Sequence, residues 1–163
     1  MPFNERSSTM SSLATEYERD FNAWIQQHIT LLKQGRVNEI DVEHLILELE
    51  EMGKSNLREL ESRFIILIAH LLKWQFQLKL LAERWQEFEG KSWRKTIIEQ
   101  RLQIRKQLKN TPSLKSHLQN VVREAYPYSV ELATDETGLP ESIFPNECPY
   151  MLEQLLDKTF YPD

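Results

Sequence analysis

The sequence predicts an all-α protein, a single-domain bundle of about four to five main helices with a short C-terminal helix. Three observations carry this reading. Proline is absent from Phe3 to Thr111, the four glycines stand far apart at 35, 53, 90 and 138, and apolar residues recur every three or four positions between them. With 163 residues, of which 40% are apolar, the chain can bury one core. Residues 1–14 read as a disordered leader and residues 15–163 as a single helical domain.

The first helix is expected from about Thr15 to Gln34. Tyr17, Phe21, Trp24, His28 and Leu31 recur along it, and Gly35 supplies a left-handed stop. The second opens on Asp41 as N-cap, with Ile40 and Leu45 as a hydrophobic staple. Its buried stripe is expected to run through Val42, Leu45, Ile46, Leu49 and Met52 and onward through Leu57, Leu60, Phe64, Leu67, Leu71 and Leu78. Gly53 lies on that stripe, either at a break near residues 53–55 or at a close approach of another helix within one continuous element. A third helix, capped by Ser92 after a fraying at Gly90, is expected to reach Asn110. Thr111 and Pro112 then start a fourth, kinked at Pro127, resuming through Leu132 and ending at Gly138 in a Schellman-type turn. One short helix is expected to begin near Pro149.

Charge is more telling by position than in sum. The net charge of −5 argues against a generally basic nucleic-acid binder. Eight acidic residues fall between Glu39 and Glu61, and seven basic ones between Lys91 and Lys109. Polar residues interrupt even the richest apolar stretch, Phe64 to Leu81, so no membrane span is expected. The N-terminus lacks the apolar region of a secretory signal, and the single cysteine, Cys148, cannot form an internal disulfide. A cytoplasmic location is the expectation.

Seven motifs occur in order: "DFNAW" (20–24), "LILELEEMG" (45–53), "ELESRF" (59–64), "HLLKWQ" (70–75), "SWRKTIIEQR" (92–101), "ETGL" (136–139) and "FPNECPY" (144–150). Together they resemble the bacterial family known as domain of unknown function 29, over roughly residues 16–162. The resemblance implies an all-helical fold and brings no activity, substrate or catalytic residue with it. Where that family often carries glutamate, this chain has Leu47.

Four groups are candidate sites. Arg94, Arg101 and Arg105 form a column beside the apolar stripe of Trp93, Ile97, Ile104 and Leu108. They are expected to fork onto carboxylates of the acidic helix, with phosphate or an acidic protein surface as competing partners. His44, Glu48 and Glu51 share one helical face at a spacing that suits a divalent ion, although a solvated polar face is the favoured reading. His70, at the border of the apolar arc, reads as a boundary histidine that packs on Trp74 and finds a hydrogen-bond partner on another helix, with a functional base or ligand as the alternative. Lys73 is expected to point away from that face toward water. Cys148 is placed at a helix N-terminus, where a thiolate would be stabilised, but no local histidine stands ready as its base.

These features favour a non-catalytic protein-interaction or regulatory module that needs no cofactor. Its partner would be a protein or a second copy of the chain. Nucleic-acid binding through residues 91–109 and a metal-dependent enzyme are the alternatives.

Overall fold

The computed structural model describes the backbone of residues 5–163 and the side chains of residues 12–163. The fold is all-α. Its helices are α1 (Glu5–Arg19), α2 (Phe21–Lys33), α3 (Val42–Phe76), α4 (Glu83–Asn110), α5 (Leu118–Thr137) and α6 (Leu152–Leu156), and no strand occurs among the described residues. Short 3-10 turns occupy Val37–Glu39, Leu78–Leu80, Pro112–His117 and Glu141–Ile143. Contacts gather into two compact units, Met1–Ser55 and Asn56–Asp163, and their boundary falls inside α3.

The first unit departs from the sequence expectation at its start. Helix α1 begins at Glu5, inside the stretch expected to be a leader, because no proline or glycine interrupts residues 5–34 and Leu13 finds a buried seat. Residues 1–4 lie outside the described residues. The single helix expected over 15–34 is two helices. Asp20 leaves helical geometry at φ −147° and accepts a hydrogen bond from the Ala23 N–H at 3.0 Å, so it caps α2. Gly35, at φ 68°, closes α2 with a paired Schellman turn, in which the Arg36 N–H donates to Leu31 O and the Gly35 N–H to Leu32 O.

Helix α3 is uninterrupted through Gly53, which corrects the expected break. The alternative of a close helix approach also fails, because a Cβ built on Gly53 meets nothing within 4 Å. An exposed helical glycine of this kind carries only an entropic cost, so Gly53→Ala is expected to raise stability by about 0.5–1 kcal/mol. The urea midpoint of the full chain checks this.

In the second unit, α3 contributes Leu60, Phe64, Leu67 and Leu71 at alternating four- and three-residue steps, and α4 contributes Ile97, Ile104 and Leu108. Val121, Val122, Ala125 and Val130 of α5 and Leu155 of α6 complete one cluster with Phe144 and Tyr150. Helix α4 runs through Gly90 without fraying and starts nine residues before the expected Ser92 cap, at Glu83. Helix α5 holds Pro127 within it and continues to Thr137. Its stop, Gly138 at φ 72°, donates to Thr134 O while the Leu139 N–H turns to Thr137 Oγ1 at 3.1 Å. That is the simpler left-handed cap, because the threonine hydroxyl takes the donor a Schellman turn would use. The terminal helix starts at Leu152, three residues later than expected near Pro149.

Candidate functional site

The arginine column comes apart on inspection of its side chains. Arg101 is 1% exposed and lies within the apolar stripe, one turn from Ile97 and three residues from Ile104. Its guanidinium fork donates to three backbone carbonyls: Nε to Leu155 O at 2.9 Å, Nη1 to Phe160 O at 2.8 Å and Nη2 to Gln154 O at 3.1 Å. Two of these belong to α6, a helix too short to satisfy its own terminal carbonyls. Burial pulls the Arg101 pKa below its usual value, while Tyr161 and Asp157 act in the opposite sense.

The expected pairing with acidic side chains of α3 is therefore replaced by a clamp on the C-terminal segment. Arg94 shares that task, since its guanidinium lies 5.2 Å from the Tyr161 ring, which Arg101 also approaches at 5.6 Å. Trp74 packs on the same ring at 4.8 Å. Arg105 is exposed and stands apart from this group.

In the first unit the residues singled out as metal ligands are held by other partners. His44 Nδ1 donates to Asp41 Oδ2 at 2.6 Å, and its ring stacks on Tyr17 at 4.0 Å. Glu48 accepts from the Tyr17 hydroxyl at 2.5 Å, and Glu51 accepts from Lys54 at 3.4 Å. Among the described residues, no three His, Cys, Asp or Glu side chains group so as to hold a metal ion.

The same network fixes the start of α3. Asp41 also accepts from Trp24 Nε1 at 3.2 Å, and its N–H donates to His28 Nε2 at 2.9 Å. Because that nitrogen accepts, the ring proton of His28 sits on Nδ1 and is donated to Trp24 O at 2.8 Å. Burial opposes ionisation of Asp41, yet the donors from His44 and Trp24 hold its pKa below the ordinary carboxylate value.

The second unit contains a charged cluster that sequence reasoning did not assemble. Lys73, expected at the surface, is 3% exposed. Its ammonium pairs with Glu136 of α5, lies 3.3 Å from His70 Nε2 and sits 5.2 Å from the Trp93 ring centroid. His70 is half-buried and donates from Nδ1 to Ile66 O at 2.8 Å, so Nε2 offers its lone pair to Lys73. Both partners lie on its own helix rather than another, which corrects the expected cross-helix bond. Burial first, and the Lys73 charge second, push the His70 pKa below its ordinary value. The cluster stands at a cleft of about 240 Å3 lined by Lys73, Gln77, Trp85, Glu89, Trp93 and Glu136. Three of the motifs that carry the family resemblance, "HLLKWQ", "SWRKTIIEQR" and "ETGL", supply its charged and aromatic centre.

Cys148 lies four residues before α6 and not at its first turn. Its thiol contacts Tyr150 O at 3.6 Å, and burial raises its pKa, the opposite of an activated thiolate.

No helix among the described residues is long and apolar enough to cross a membrane. No curated protein and no solved structure matches the chain. The model of the family described as domain of unknown function DUF29 matches residues 16–161. With nearly all of its length matched, and with the motif segments meeting around Lys73 and Arg101, the chain belongs to the DUF29 family.

Proposed function

We propose that this chain is a protein-interaction module, and that its docking face is the N-terminal part of α3. One observation carries the reading. Val42, Ile46, Leu49 and Met52, which the sequence pattern assigns to a buried stripe, are instead between 50% and 65% exposed. Leu47 is equally open, on a different side of the helix. Apolar side chains repeating at helical spacing over three turns form the kind of contiguous patch that soluble proteins reserve for partners.

The opposite face of this segment is already occupied, by His44 against Tyr17 and Asp41 and by Glu48 against Tyr17. The open stripe is edged by exposed Glu43 and Glu50. An apolar row with an acidic rim suits a partner helix that carries its own apolar stripe between lysines or arginines. The occupant we assign is such a helix on another protein.

Leu49→Asp is the discriminating variant. An exposed position tolerates the change within about 0.5 kcal/mol, while an aspartate at the centre of the docked face removes the contact and adds repulsion among the flanking glutamates. Tagged wild-type chain is expected to retain a stoichiometric partner bearing such a helix, and Leu49→Asp to lose it while melting at the same temperature. Retention of that partner by the variant would overturn the assignment. So would release of the partner on self-association of the purified chain, which would make the occupant a second copy.

A further inference from the structure

The cleft beside Lys73 already shows how this fold holds an ammonium group. Lys73 Nζ is set against the Trp93 indole and paired with the Glu136 carboxylate. The same combination recurs one and two turns earlier on α4. Trp85, Glu89 and Trp93 follow at four-residue spacing and therefore share one face, and all three line the cleft. Among the described residues Glu89 makes no ion pair, so its charge is the one in the cleft that no cation balances. Lys73 and Glu136 cancel each other.

The Glu89 carboxylate can only accept hydrogen bonds, and it is the charged group of the cleft that has no charged partner among the described residues. The Trp85 indole adds a π face that attracts cations.

We propose that this cleft binds a small organic cation with N–H donors, an alkylammonium or alkylguanidinium head on a short apolar stem. Glu89 supplies the countercharge and accepts the N–H donors, and Trp85 supplies the aromatic wall. The site is separate from the docking face on α3 and does not depend on it.

The test titrates the full chain with n-butylammonium and n-butylguanidinium, followed by tryptophan fluorescence and calorimetry. Saturable binding is expected, weakened at least tenfold in Glu89→Gln and in Trp85→Ala, both at exposed or half-exposed positions and both expected to keep the wild-type helical spectrum. Butanol matches the stem without the charge, and tetramethylammonium matches the charge without the donors. Both are expected to bind at least tenfold more weakly than n-butylammonium. Nα-acetyl-lysine methylamide separates the two sources of such a head. If it binds as well as n-butylammonium, the site takes a lysine side chain; if n-butylammonium alone binds, it takes a free amine. Either result supports a cation site. Absence of saturation with both alkyl cations, or affinities unchanged in Glu89→Gln, would overturn the proposal.

Discussion

Arg101→Met is expected to destabilise the chain by about 3–5 kcal/mol, read as a fall in the urea midpoint. Methionine nearly matches the length and apolar stem of arginine, so the change tests the guanidinium fork more than the packing around it. Three carbonyls, Gln154 O, Leu155 O and Phe160 O, lose their donors together. Each buried acceptor left unpaired costs about 1–3 kcal/mol, and loosening of the terminal segment recovers part of the sum. Arg101→Lys is expected to fall between the two, because a single ammonium on a shorter stem cannot serve three carbonyls spread along a fork. Hydrogen exchange should localise the damage, with amides of residues 152–161 exchanging faster than those of α3 in both variants. A midpoint for Arg101→Met within error of wild type would show that the segment is held by its apolar contacts alone.

The second large effect is an asymmetry within one ion pair. Glu136→Ala is expected to cost about 2–3 kcal/mol, because it deprives the Lys73 ammonium, on a residue 3% exposed, of the carboxylate it pairs with. The figure sits below that for a fully buried pair because the Glu136 side chain is 43% exposed. Lys73→Met is expected to cost less than about 1 kcal/mol. It removes the buried charge, and the remaining carboxylate can turn to water. The two variants also differ at His70. Losing the Lys73 charge removes one of the two causes that depress its pKa, so Lys73→Met should raise the His70 titration midpoint in a proton NMR titration. Removing Glu136, which favours the protonated ring, should lower it. Equal destabilisation by both variants, with an unmoved His70 midpoint, would contradict this account of the cluster.

These two residues also mark where the sequence could be read and where it could not. Helix content, the left-handed stops at Gly35 and Gly138 and the ladder of Leu60, Phe64, Leu67 and Leu71 follow from local rules of spacing and backbone geometry. Arginine is seldom fully buried without a partner, so the sequence alone places Arg101 at the margin of the stripe. Yet the register of Trp93, Ile97, Ile104 and Leu108 leaves a core position that Arg101 fills, and this was the available signal. Its partners were invisible, because backbone carbonyls 53 to 59 residues away leave no side-chain signature.

Lys73 is a similar case, since its counter-ion Glu136 lies 63 residues further along the chain, on α5. Val42, Ile46, Leu49 and Met52 show the converse, apolar residues at buried spacing that stand exposed. Periodicity identifies which residues share a face, but it does not say whether this chain covers that face.

That uncovered face is the claim on which the functional reading rests, and photo-crosslinking from it is the most direct measurement. Benzoylphenylalanine placed at position 49 in the native host is expected to form one dominant adduct. Its crosslinked peptide should map to a partner helix with an apolar stripe between lysines and arginines. The same probe at Glu153, exposed and in the other unit, should not form it. Adducts at position 49 that map to acidic or non-helical segments, or that match those from position 153, would contradict the docking face.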